Sequence, residues 1–148
     1  MNLVKATTED FILLNQKLSS KKNALEFIST YLSQKIGIEK DMIFQNLYAR
    51  EKLGTTALGN GVALPHAKID SLENIQTLLI QLASGIDFDA VDKQQVDVIF
   101  VLLVPNVNSD VHVKALADIA SILDNADIMK KVRKANSPAE IIGSLNSL

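Results

Sequence analysis

The chain has 148 residues, 47% hydrophobic and 22% charged, enough for one domain that hides its own core without disulfide staples. A formal net charge of −2 argues against a sequence-independent grip on nucleic acid, which requires a basic face, and the absence of cysteine excludes disulfides, thiolate metal sites and cysteine nucleophiles. No apolar run approaches the ~20 residues that span a bilayer, and Met1-Asn2-Leu3-Val4-Lys5 lacks the charged and apolar regions of a signal peptide. The reading is a single cytoplasmic domain over residues 1–148, with no membrane insertion.

Phe11-Ile12-Leu13-Leu14 reads as an edge strand or a turn of helix. Ser20 caps a helix running to about Lys35, with Leu25, Ile28 and Leu32 along one face and Gly37 as its stop. A second helix starts at about Glu39, turns Ile43, Leu47 and Tyr48 inward and ends at Gly54. Residues 55–61 read as a loop, and Val62-Ala63-Leu64 as a short strand ending at Pro65. The runs Leu78–Leu82 and Val96–Val104 are apolar on both faces, as strands in the middle of a helix-covered sheet must be. A helix from about Val111 to Leu123 follows, with Val113, Leu116, Ala120 and Leu123 as its buried stripe. Another spans about Asp127 to Ala135. Its basic residues Lys130, Lys131, Arg133 and Lys134 form a solvated face or a docking site for an acidic partner. The last helix opens with Ser137 as cap, Pro138 in the first position and Glu140 closing a capping box. Strands interleaved with helices predict an α/β or α+β fold, a mixed sheet flanked by helices.

Only two histidines exist. His66 follows Pro65 directly after a strand, where loops carried on a rigid sheet hold functional groups. Gly59-Asn60-Gly61 supplies two residues without a Cβ, so backbone N–H groups can approach an anion, although the same glycines also suit a plain turn. Thr55 and Thr56 add hydroxyl donors. Arg50 precedes this loop and offers a planar fork of donors that matches phosphate; the alternative is an ion pair with Glu51 or another surface acid. His112 stands near a helix N-terminus, where free N–H groups favour a negative ligand, or is an exposed first-turn residue. No Gly-Lys-Ser/Thr follows the glycines, no His-x-x-x-His or Glu-x-x-His pair supports a metal, and Gly-x-Ser-x-Gly is missing. Asp87, Asp89 and Asp92 read as a solvated loop between strands.

The stretch from Arg50 through Glu51-Lys52-Leu53-Gly54-Thr55-Thr56-Ala57-Leu58-Gly59-Asn60-Gly61-Val62-Ala63-Leu64-Pro65 to His66 resembles the signature of the fructose/mannitol-type enzyme IIA domains of the bacterial phosphoenolpyruvate-dependent phosphotransferase system. Phe88-Asp89-Ala90-Val91-Asp92 and the run from Val96 to Pro105 are similar to a second family block, and the likeness extends from about Ser20 to Leu145. Within that family the chain is most like the stand-alone nitrogen-regulatory form. Ala57 and Leu58 depart from the family's more usual Gly and Ile, without touching the acceptor position.

The resemblance implies a mixed sheet flanked by helices and a phosphoryl carrier. His66 matches the histidine that accepts phosphate from an HPr-type phosphocarrier, His112 the second family histidine, and Arg50 the family arginine. Thr55, Thr56, Gly59, Asn60 and Gly61 would bind phosphate. No cofactor or metal is implied. The phosphate would pass to another chain, a IIB component or a regulated target, because the usual cysteine acceptor is absent here. The alternatives are a sugar-specific enzyme IIA feeding a separate IIB chain, and a non-catalytic regulatory binding protein.

Overall fold

The computed structural model describes residues 7–107 and 109–148. The N-terminal stretch read above for a signal peptide lies outside the described residues. A single 3-10 turn, Glu9–Phe11, leads into strand β1 (Ile12–Gln16), so the Phe11–Leu14 run is both a helical turn and an edge strand. Helices α1 (Lys21–Ile36) and α2 (Lys40–Lys52) follow. Short strands β2 (Ala57–Gly59), β3 (Val62–Ala63) and β4 (His66–Ile69) precede the long strands β5 (Gln76–Ile86) and β6 (Val96–Pro105), and α3 (Ser109–Leu123), α4 (Ala126–Lys134) and α5 (Pro138–Asn146) complete the chain.

The helix ends obey their sequence signals. Ser20 Oγ accepts the N–H of Asn23, and Asn23 Oδ1 in return accepts the N–H of Ser19. Gly37 closes α1 with a left-handed φ of 74°, its N–H donating to Ser33 O. At α5, Ser137 Oγ accepts the N–H of Glu140 while the Glu140 carboxylate accepts the N–H of Asn136, one residue outside the usual capping box.

The sheet runs β1-β5-β6-β3-β2, with β4 also on β6. The β5/β6 and β2/β3 pairs are antiparallel and the β1/β5, β3/β6 and β4/β6 pairs parallel, so the sheet is mixed. β5 and β6 occupy its middle, as their two-sided apolar sequences require. Along β6, Val98, Phe100, Leu102 and Val104 face the layer of α3, α4 and α5, while Ile99, Val101 and Leu103 face α1 and α2.

Three expectations are corrected. Ala57–Gly59 is a strand, not loop: Asn60 and Gly61, with φ of 56° and 80°, form a two-residue turn joining it to β3. Asn-Gly supplies the left-handed pair that such hairpins need. Tyr48 is 37% exposed and stacks on Phe44 with ring centroids 5.5 Å apart; the inner face of α2 is Ile43, Leu47 and Glu51. The buried stripe of α3 is also shifted. Val113 is 66% exposed, whereas His112, Ala115, Ile119 and Leu123 are buried. Opposite a polar face of Asp110, Lys114, Asp118 and Ser121, the apolar arc of this helix is broad enough to admit two stripes a residue apart, and packing on the sheet selects the one that carries His112 inward.

Candidate functional site

The chain crosses from β3 to β4 through Leu64 and Pro65, both strands pairing with β6: Ala63 is opposite Ile99 and His66 opposite Leu102. His66 therefore opens a strand rather than sitting in a loop. Alternation sends His66 and Lys68 toward α3 and leaves Ala67 and Ile69 in the α1/α2 core. The last turn of α2 brings Arg50 to this edge of the sheet.

His66 is half-buried, and both ring nitrogens are engaged. Nδ1 lies 2.8 Å from Leu64 O. A carbonyl only accepts, so Nδ1 carries the proton. Arg50 Nε donates toward Nε2 at 3.3 Å, which requires a lone pair there. The two contacts independently select the same neutral tautomer, with Nε2 as the unprotonated nitrogen. The pKa of His66 lies below the ordinary histidine value: burial depresses it most, the Leu64 carbonyl opposes, the Arg50 charge depresses it further and Glu51 pulls it up. Arg50 also donates from Nη1 to Gly54 O at 2.9 Å, bracing itself on the end of its own helix.

A pocket of about 300 Å³ opens beside the imidazole, lined by Arg50, Thr55, Thr56, Leu58, Leu64 and His66 on one side and by Leu116, Ala117 and Ala120 of α3 on the other. His112 lies one turn before Leu116 on the same helix. It is 5% exposed, and its Nδ1 is the one buried side-chain polar atom among the described residues without a hydrogen-bond partner. Burial, then the charge of Lys68, holds its pKa below the usual value. It is no exposed first-turn residue.

The residues expected to cradle an anion are engaged elsewhere. Thr55 Oγ1 donates to Phe88 O at 2.6 Å, and Thr56 Oγ1 to Glu51 Oε1 at 2.5 Å, so these hydroxyls build the pocket wall. The Gly59-Asn60-Gly61 turn is outside the lining. The N–H of Asn60 donates to Asp92 Oδ2 at 2.9 Å, and Asn60 O accepts Arg133 Nη2 at 2.7 Å. Carboxylates already occupy that side of the turn. Arg133, expected on a solvated face or in a docking site, instead donates from Nε to both oxygens of Asp97 on β6, at 3.0 and 3.1 Å, and with its bond to Asn60 O ties α4 to both β6 and the hairpin.

A buried carboxylate with no role legible in the sequence stands behind the pocket. Glu51, expected at most to pair with Arg50, is 6% exposed and accepts Lys21 Nζ at 3.1 Å and the N–H and hydroxyl of Thr56. Lys21 also pairs with Asp89 at 2.8 Å. Burial works to lower the Lys21 pKa, but these two acids outweigh it and raise the value. The signal was available in the spacing: the buried stripe Ile43, Leu47 continues at the same interval to Glu51.

Comparison with known proteins finds matches over nearly the full length. The profile of the family described as phosphoenolpyruvate-dependent sugar phosphotransferase system, EIIA 2, matches residues 5–147. A nitrogen regulatory protein of Bradyrhizobium diazoefficiens is 41% identical over 148 residues, covering 100% of this chain and 96% of the relative. The crystal structure of nitrogen regulatory protein IIA-Ntr from Neisseria meningitidis superposes with a TM-score of 0.91 at 29% identity, covering 97% of this chain and 98% of the other. The mannitol enzyme IIA of Escherichia coli, solved in complex with phosphorylated mannitol enzyme IIB, shares the fold with a TM-score of 0.81 at 19% identity, over 96% of this chain and 98% of that one.

Proposed function

The chain belongs to the phosphoenolpyruvate-dependent sugar phosphotransferase system EIIA type 2 family, and from that premise we propose that it is a phosphoryl carrier of the nitrogen-regulatory kind, with His66 as acceptor. The observation that carries this is the pair of contacts on one ring: Leu64 O on Nδ1 and Arg50 Nε at Nε2. They support Nε2 as the nucleophile and supply a cation where phosphoryl oxygens would arrive.

In the proposed step the Nε2 lone pair forms the new N–P bond as the N–P bond of a phosphohistidine on an HPr-type carrier breaks, and the donor imidazole recovers the electron pair. Nδ1 keeps its proton, so no proton transfer is required. Alignment and charge stabilisation are what such a transfer needs from a protein. Arg50 moves from the ring to the oxygens, and His112, kept neutral by burial, offers a further donor. Onward transfer goes to a IIB component or a regulated target on another chain. Residues 1–148 act as one such domain in the cytoplasm under this reading; among the described residues no helix is long and apolar enough to cross a membrane.

Incubation with phosphoenolpyruvate, enzyme I and an HPr-type carrier should label the wild type with an acid-labile, base-stable phosphate, and His66→Ala should abolish it. Label persisting in that variant would overturn the assignment.

A further inference from the structure

Glu51 and Arg50 are neighbours in the last turn of α2, yet they point to different tasks. Arg50 meets His66 Nε2. The Glu51 carboxylate takes the backbone N–H of Thr56 at 2.9 Å and the Thr56 hydroxyl at 2.5 Å. Thr56 O in turn accepts the N–H of Leu64 at 3.0 Å, and Leu64 O accepts the Nδ1 proton of His66 at 2.8 Å. Two short routes thus leave the end of α2 and close on opposite nitrogens of one imidazole.

We propose that Glu51 is a positioning residue for phosphoryl transfer, its carboxylate locking the end of α2 to the Thr56–Leu64 pairing so that Arg50 and the Leu64 carbonyl stay in register on the two nitrogens of His66. The proposal rests on His66 being the acceptor. Burying an ionised carboxylate costs free energy unless partners replace its water, and replacing a buried ion pair by apolar groups is often neutral or stabilising. Here three donors surround it, and the partner cation, Lys21, is shared with the exposed Asp89. Lys21 therefore keeps one acid if Glu51 loses its charge. The negative charge has a second effect. The ring gains positive character as Nε2 bonds phosphorus; Glu51 favours that, while burial and Arg50 both oppose it.

The test is Glu51→Gln, which keeps size but loses the charge and one of the two acceptor oxygens. Imidazole nitrogen shifts of the full chain report the His66 tautomer and its titration, and transfer from a phosphorylated HPr-type carrier reports the rate. In the folded variant we expect the Nε2–H tautomer to gain population, the His66 pKa to fall further and transfer to slow by about 10- to 100-fold, the scale set by small misplacements of reacting groups. Thr56→Val, which deletes only the hydroxyl bond, should shift all three in the same direction by less, and it decides the matter if Glu51→Gln does not fold. Unchanged tautomer, titration and rate per folded molecule would overturn the proposal, even with a lower melting temperature, because Glu51 would then be a purely structural charge. The ring measurements need no phosphate. A wild-type protein that accepts none would refute the acceptor reading and leave the tautomer result standing.

Discussion

At Arg50 the type of cation matters more than its charge. Its Nε points at His66 Nε2 while Nη1 holds Gly54 O, so one planar group is braced at one end and free to engage oxygens at the other. Lysine cannot do both. Arg50→Lys should slow transfer substantially while changing stability by only ~0–1 kcal/mol, the range of exposed polar pairs. Transfer rates beside denaturant midpoints check this; a wild-type rate in the lysine variant would confine Arg50 to supporting the helix end. The same scale shows what the sequence concealed. That His66 and Arg50 belong together was legible from their residue types, an imidazole and a guanidinium at the ends of one short stretch, and the two do meet. The tautomer was not, since it depends on a carbonyl two residues back whose direction only the Pro65 crossing sets.

At the scale of elements, caps and central strands were legible because short-range chemistry fixes them: Ser20, Gly37 and Ser137 act where their types predict. The phase of α3 was not, because a helix with a broad apolar arc leaves the exact choice of face to the sheet, and His112 followed that choice into the interior. The Gly59–Gly61 turn, open in sequence to either an anion cradle or a plain turn, is the turn of a hairpin whose Asn60 is held by Asp92 and by Arg133. A Cβ on Gly61 would stand 2.8 Å from Arg133 Nη2 and 3.0 Å from Asp97 Oδ1, at a φ of 80°. Gly61→Ala should therefore destabilise the fold by more than the ~1–2 kcal/mol of left-handed backbone strain alone, measured by urea unfolding. Folded Gly61→Ala should still accept phosphate, since the turn lies outside the pocket lining. A loss of labelling with unchanged stability would return the turn to the phosphate site.

At the scale of the whole molecule, both histidines titrate below the ordinary value of 6.5 in the folded state. The unfolded chain takes up protons first as pH falls, so their contribution to stability is complete above about 6.5 and declines below it until the folded pKa values are passed. Asp92, depressed below 3.8 by the N–H groups of Asn60 and Gln94, acts in the same direction only in stronger acid. Lys21, raised above 10.5, loses its contribution only as pH rises through its folded value. Unfolding midpoints followed from pH 7.5 to 5.5, a window chosen around the roughly 6.5 of free histidine, should fall in the wild type and fall less steeply in His112→Gln. Equal slopes would mean that His112 titrates freely. The pocket itself is gathered from distant parts of the chain, Arg50 at one wall and Ala120 at the other, over a sheet whose middle strand ends at Pro105. A ribosome must therefore release α3 before the His66 pocket has both its walls. Nascent chains and proteolytic fragments lacking that helix present the imidazole without its enclosure.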